Sequence, residues 1–344
     1  MTASYIALPD NGETHRLVFY LAMEEYVAAK LKTLLPGGED AFFIWQVPPT
    51  VIFGRNQVMQ AEVNVSYCRD KGIRLYRRKS GGGCVYSDWG NIMLSYISSS
   101  TDVSGTFDRY LSHLASSLSK IGIPACRSGR NDILADGKKV SGNAFFMKPD
   151  SSIVHGTMLF DSDFTEMQKA ITPSKAKIES KGVASVRQHV TNLRPYFEAV
   201  GSPLADISAF RHYLAESFCS DGNGGIRQIT LTEDDIDAIS EIEAGYLDPD
   251  FLEGRNHAYT AVRKGKIPDV GEIAVELSID EGKIQACRLS GDFLFLRDGL
   301  DSELSSLLKG LEDDRIQVEN ALHQADIGKY IRGLTADALL SMMY

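Results

Sequence analysis

The chain has 344 residues, 43% of them hydrophobic and 24% charged, close to the averages of soluble globular proteins. This excludes extensive disorder and sets an expectation of about two domains. A formal net charge of −10 makes the surface as a whole a poor match for phosphate backbones, so no nucleic-acid partner is expected. No apolar run is long enough to span a bilayer, so no membrane association is expected, and Met1-Thr2-Ala3-Ser4 opens without the features of a secretory signal, which points to the cytoplasm.

In chain order, residues 17–34 place apolar side chains at helical spacing around Glu24 and Glu25, and Pro36-Gly37-Gly38 ends the helix. Short β-branched or aromatic runs at 42–47, 51–54, 73–76, 91–97 and 152–160 predict strands, and 107–121 predicts a long helix among them. Strands and helices alternate without a strict βαβ rhythm, so the expected fold class is α+β, with a mixed, largely antiparallel sheet. Residues 206–243 read as two helices joined by Asp221-Gly222-Asn223-Gly224-Gly225. Residues 271–289 read as two strands around the hairpin signal Asp280-Glu281-Gly282-Lys283, followed by Gly291-Asp292-Phe293 and two helical stretches toward Tyr344. The expected division is a catalytic domain over 1–248 and a small α+β accessory domain over 255–344, with Leu247-Asp248-Pro249-Asp250 leading into the linker.

The five cysteines, Cys68, Cys84, Cys126, Cys219 and Cys287, never fall as Cys-x-x-Cys, so neither a disulfide framework nor a structural zinc site is expected. Lys71, Arg74, Arg77, Arg78 and Lys79 form a basic run that needs its own explanation.

Two segments carry candidate chemistry. Arg77-Arg78-Lys79-Ser80-Gly81-Gly82-Gly83-Cys84-Val85-Tyr86 joins a basic strand end to three consecutive glycines. Glycine tolerates positive φ and lets backbone N–H groups approach an anion, so the loop reads as a phosphate cradle or, equally, as a mobile hinge with solvated charges. It is neither a P-loop nor a Rossmann turn, because the required Gly-Lys-Ser/Thr and Gly-x-Gly-x-x-Gly spacings are absent. Asn131-Asp132, then Lys138-Lys139-Val140-Ser141-Gly142-Asn143-Ala144, places a lysine beside small residues, where a compact cation can approach two anions and an Asp can accept from a ribose or help hold Mg²⁺. Alone, such a Lys is more often solvated and such an Asp bonds a nearby turn.

Together, these segments resemble the lipoate-protein ligases, of one superfamily with biotin ligases and lipoyl/octanoyl transferases. The resemblance runs the length of the chain. It rests on the Arg-Arg-x-Ser-Gly-Gly-Gly-x-Val loop ending in Asp-x-Gly-Asn at 77–91, Asn131-Asp132 with Lys-Val-Ser-Gly-x-Ala at 139–144, His155-Gly156-Thr157, and Lys-Gly-x-x-Ser-Val-Arg-x-x-Val-Thr-Asn-Leu at 181–193. Val51-Ile52-Phe53-Gly54-Arg55-Asn56-Gln57, Leu21-Ala22-Met23-Glu24-Glu25 and the accessory-domain Gly291-Asp292-Phe293 agree as well.

The resemblance implies activation of lipoic acid by ATP with Mg²⁺ to lipoyl-AMP, then transfer to a lysine of a lipoyl domain of a 2-oxoacid dehydrogenase or of the glycine cleavage H protein, by a monomer. It implies that Lys139 is catalytic and that Arg78, Gly83, Cys84, Val85, Tyr86, Asp132 and Lys139 bind ATP. Lys139, Gly82, Gly83 and His155 would bind lipoate, with Asp132 near the metal; Lys138 would be solvated. An apolar slot for the acyl chain is expected among 42–45 and 51–53, most of which would be ordinary core. Two positions depart from the family pattern, Tyr20 where Asn is common and Ser87 where His is common. The rival readings are an ATP-independent octanoyl or lipoyl transferase, for which Cys84 is the one thiol inside a motif, and a non-catalytic lipoate-binding protein. A biotin ligase is disfavoured by the absence of Gly-Arg-Gly-Arg.

Overall fold

The computed structural model describes residues 3–9, 14–171, 189–253, 261–280 and 282–344. Part of the motif at 181–193, the expected start of the accessory domain near 255, and Glu281 of the hairpin lie outside the described residues.

The N-terminal part contains β1 (Ala3–Ala7), β2 (Asp40–Trp45), β3 (Thr50–Phe53), β4 (Arg74–Arg77), β5 (Val85–Ser87), β6 (Asn91–Ser98), β7 (Ala125–Ser128), β8 (Asp132–Ala135), β9 (Lys138–Lys148), β10 (Ser151–Leu159) and β11 (Gln228–Thr230). Eight of them form one sheet in the order β11-β1-β2-β6-β10-β9-β8-β7, parallel at β11-β1-β2 and antiparallel beyond. A second sheet, β4-β3-β5, carries the glycine loop between its two outer strands.

Helix α1 (Leu17–Leu34) covers one face of the large sheet, while α2 (Val103–Lys120) and α3 (Ile207–Cys219) cover the other. Burial on both faces explains why β2 reads as an unbroken apolar run. Phe42 and Ile44 pack with Phe107, Tyr110 and Phe218, whereas Phe43 and Trp45 pack with Leu21, Met93 and Ile153. Each large side chain so removed from water contributes about 1.5–3 kcal/mol. A further helix, α4 (Glu233–Tyr246), opens with a Thr232–Asp235 capping box and packs on α1. Between α3 and α4 lies β11, too short at three residues to leave a periodic signal.

The C-terminal part has its own core and three antiparallel strands, β12 (Ala261–Ile267), β13 (Gly271–Asp280) and β14 (Lys283–Gly291), with helices α5 (Leu300–Leu308), α6 (Arg315–Leu322) and α7 (Ala336–Met343). Two strands and two helices were expected here. In β12 the alternation is disguised, because Arg263 faces inward to pair with Asp313 and Gly265 leaves room for Met342. The two parts meet through main-chain bonds, Gly82 N–H donating to Phe293 O at 3.0 Å and Gly291 N–H to Asn56 O at 3.1 Å, and through side chains. Arg130 also pairs with Asp292 (3.1 Å) and Arg332 with Asp108 (3.0 Å).

Glu25 of α1 is buried against Lys79 (2.6 Å), Lys148 (2.6 Å) and Tyr246 (2.7 Å). Burial raises its pKa, but the three donors outweigh it and the net shift is downward. A depressed carboxylate pKa means that the charged form stabilises the fold above the ordinary Glu range, and that this contribution is lost as pH falls through the folded-state value. Glu25→Gln is therefore expected to cost about 1–3 kcal/mol at neutral pH, with the difference from the unsubstituted protein shrinking as melts are repeated below about pH 4. A difference that stays constant across that range would remove Glu25 as the titrating group.

Candidate active site

The basic run at the end of β4 is mostly internal. Arg77 is 2% exposed, lies 4.6 Å from the Phe53 ring, and donates to the carbonyls of Arg55 (3.0 Å), Gln57 (2.7 Å), Phe251 (3.0 Å) and Leu252 (2.9 Å). Lys79 is taken by Glu25. The basic run is thus explained in part by internal pairing, since Arg77 and Lys79 hold other parts of the chain, and only Lys71 and Arg74 of the five cations are exposed.

Arg78 turns onto the glycine loop itself. Its Nη2 donates to Gly81 O (2.8 Å) and Gly83 O (2.7 Å), and its Nε to Ser80 Oγ (3.1 Å). Burial lowers its pKa to about 10, with Cys84 and Asp292 opposing, so it remains a cation at neutral pH. Held mainly by carbonyl oxygens, this charge leaves the loop electropositive. The loop approaches β3 so closely that a Cβ on Gly54 would lie 2.1 Å from Gly82 O, and Gly82 itself has φ of +89°. Both positions therefore require glycine.

Opposite the loop stands the β8–β9 hairpin. Asn131 and Asn143 exchange amide bonds, Asn131 Nδ2 to Asn143 O at 2.8 Å and Asn143 Nδ2 to Asn131 O at 3.1 Å, fixing the hairpin's register. The main chain of Lys139 is pinned by His189 O (2.6 Å) and Thr191 N–H (2.9 Å), and its side chain, 35% exposed, reaches Asp132 Oδ1 at 2.7 Å. Lys138 is exposed.

Lys139 borders two cavities. The larger, about 480 Å³, is an open cleft lined by Gly83, Cys84, Asp132 and Lys139 together with Arg130, Lys266 and Asp292. The smaller, about 90 Å³, is walled by Leu21, Trp45, Ile52 and Met93, with Arg78, Gly82, Gly83, Val85, Lys139 and His155 toward its polar side. Of the residues expected to form an apolar slot, Trp45 and Ile52 line it, and Phe42, Phe43, Val51 and Phe53 belong to the cores. The cleft gathers three cations, Arg130, Lys139 and Lys266, among five carboxylates, Glu62, Asp132, Asp269, Glu272 and Asp292, while the smaller cavity is suited to an alkyl chain.

Gly142 sits below the lysine, where an added Cβ would lie 2.7 Å from Lys139 Nζ. Gly142→Ala is expected to displace the ammonium group without removing it. Melting should stay near that of the unsubstituted protein, because the long side chain can yield, while turnover should fall about 10-fold or more. Steady-state rates and thermal melts of the same preparation check this.

Tyr86, expected at the nucleotide, is buried in the core of the small sheet and lines neither cavity. Ser87 is buried, and Asp88 beside it binds the N–H groups of Gly90 (3.0 Å) and Asp163 (2.8 Å), which makes it a clasp between loops; burial raises its pKa. Cleft residues not expected from sequence are Arg130, Lys266 and Asp292. Arg130 directly precedes the noted Asn131-Asp132 and Asp292 lies in the noted Gly291-Asp292-Phe293, but Lys266 and Asp292 reach the cleft only through docking of the C-terminal part. Among the described residues no cluster of three His, Cys, Asp or Glu side chains is arranged for a metal.

Comparison with known proteins follows this geometry. Residues 17–219 match the lipoyl protein ligase A/B catalytic domain, and residues 256–343 match the bacterial lipoate protein ligase C-terminus. The chain is 34% identical to lipoate-protein ligase LplJ of Bacillus subtilis (strain 168), over 97% of this chain and 99% of that protein. Among solved structures, P. falciparum LipL1 in complex with lipoate superposes with a TM-score of 0.75 at 19% identity, over 99% of this chain and 97% of the other. A lipoate-protein ligase A bound with ATP gives a TM-score of 0.61 at 25% identity, over 74% of this chain and 100% of the other.

Proposed function

Because the chain belongs to the lipoate-protein ligase family, we propose that it joins lipoic acid to a lysine of an acceptor protein in two steps at Lys139, with ATP as the activating substrate. The observation that carries this reading is the position of Lys139, on the wall shared by an apolar cavity and an open cleft that also holds Arg130 and Lys266, beside a glycine loop.

In the first step a lipoate carboxylate oxygen attacks the α-phosphorus of ATP, and the bond to pyrophosphate breaks. Both reactants are anions, so their approach requires fixed positive charge. Lys139 supplies it from the side of the hairpin. Arg78 supplies it from beneath the loop, mainly by fixing loop geometry, and Gly83 and Cys84 offer backbone to the phosphates. The alkyl chain lies against Trp45, Ile52 and Met93, which places the carboxylate at Lys139. His155 borders the same cavity. Asp132 is the side chain that would hold Mg²⁺, since one carboxylate plus phosphate oxygens is a donor set this ion accepts; the ion would neutralise phosphate charge.

In the second step the acceptor amine attacks the acyl carbon, AMP leaves, and Lys139 stabilises the oxygen on which charge develops. The acceptor is a lipoyl domain of a 2-oxoacid dehydrogenase or the H protein, met in the cytoplasm by a single copy of this chain, whose own residues line both cavities. No helix among the described residues is long and apolar enough to cross a membrane.

Lipoate-dependent exchange of labelled pyrophosphate into ATP tests the first step, and AMP-forming modification of an apo lipoyl domain tests the second. Acyl transfer from a thioester donor without ATP would instead select the transferase reading and direct attention to Cys84.

A further inference from the structure

A carboxylate inside an apolar helix is costly unless both oxygens are bonded. Glu24 of α1 is fully buried, and each of its oxygens has a partner. Ser95 Oγ lies 2.6 Å from Oε1, and His155 Nδ1 lies 2.8 Å from Oε2. Ser95 in turn accepts from Trp45 Nε1 at 2.9 Å, so its own hydroxyl proton is free to go to Glu24. On the other side, His155 Nε2 lies 2.6 Å from Ser80 Oγ, which also accepts from Arg78 Nε at 3.1 Å.

One assignment of protons satisfies the whole chain. Trp45 donates to Ser95, Ser95 donates to Glu24, and His155 donates to Glu24 through Nδ1–H. Arg78 donates to Ser80, and Ser80 donates to the lone pair on His155 Nε2. The order serine, histidine, carboxylate is that of a nucleophile with its base and orienter. Ser80, however, is 0% exposed and its oxygen is occupied by a guanidinium, so it has no path to a substrate.

We infer that Glu24, His155 and Ser80 form a positioning relay. By fixing the tautomer of His155, Glu24 turns the Ser80 oxygen toward Arg78 and thereby keeps Arg78 on the carbonyls of Gly81 and Gly83. None of the three needs to touch the nucleotide; Arg78 and the glycine loop transmit their effect. The relay also joins Trp45, a wall of the apolar cavity, to the loop that faces the cleft. This inference rests on the adenylation reading above.

The test is pyrophosphate exchange by the full-length protein and by Glu24→Gln, Ser80→Ala and the double variant, with ATP and lipoate each varied. In Glu24→Gln the amide must present N–H₂ to Ser95 or to His155, both of which are donors in the native arrangement, so the order of donation fails at one end. Each single variant is expected to lower kcat/KM for ATP about 10–100-fold, as loss of an orienting partner commonly does. For Ser80→Ala, KM for lipoate should stay near that of the unsubstituted protein. Residues acting through one chain are not additive, so the double variant should resemble the more impaired single. Kinetics of Ser80→Ala equal to those of the unsubstituted protein, or losses that multiply in the double variant, overturn the relay. Absence of exchange in the unsubstituted protein would instead reject the proposed function. Ser80→Ala removes only one oxygen, which protects the test from a folding failure in Glu24→Gln.

Discussion

Lys139→Ala is expected to lower lipoate-dependent pyrophosphate exchange by at least about 10²–10³-fold while leaving the melting temperature almost unchanged. The large kinetic effect follows from position. The ammonium group borders both cavities, and among the described residues no other lysine lines both. The small stability effect follows from exposure. The side chain is 35% exposed and its ion pair is with Asp132, 31% exposed, and such pairs contribute at most about 1 kcal/mol. Lys139→Arg should not restore activity, because a planar fork cannot replace a compact cation set between two anions. Exchange at a near-native rate in Lys139→Ala would remove the residue from the mechanism.

The second large effect separates two neighbouring arginines. Arg78→Met keeps the length of the side chain but leaves the carbonyls of Gly81 and Gly83 without their donor. Exchange should fall about 10²–10³-fold, and stability by about 1–3 kcal/mol for the unsatisfied groups. Arg77→Met leaves other carbonyls bare, those of Gly54, Arg55, Gln57, Phe251 and Leu252, none of which belongs to the Gly81–Gly83 turn itself. It should cost similar stability, yet the molecules that remain folded should keep most of their turnover. Melts combined with rates normalised to folded protein distinguish the two; equal kinetic losses in both would show that Arg78 has no special relation to the loop.

That difference was not legible in the residue pattern itself; only the resemblance singled out Arg78. Arg77 and Arg78 are adjacent at the end of a strand, where successive side chains point to opposite sides, and nothing in the order of residues says which side faces the loop. The choice of Lys139 over Lys138 came only from the resemblance, through the Lys-Val-Ser-Gly motif. The glycine loop was legible, because it is local: a turn needs glycine. The α+β class and most strands were legible for the same reason. Strand β12 was not, since Arg263 and Gly265 occupy positions that a simple pattern assigns to apolar residues. Glu24 was visible as a carboxylate in an apolar helix, but its partners Ser95 and His155 come from neighbouring strands β6 and β10, and only the sheet order brings them together.

Two of the contacts at the seam between the two parts of the chain are made by peptide groups, Gly82 to Phe293 and Gly291 to Asn56. The two bonds themselves use no side-chain atom, while the side chains of Asn56 and Phe293 are themselves buried. A single inserted or deleted residue in either turn would throw both pairings out of step. Length is thus fixed at this border alongside the side-chain pairs Arg130–Asp292 and Arg332–Asp108.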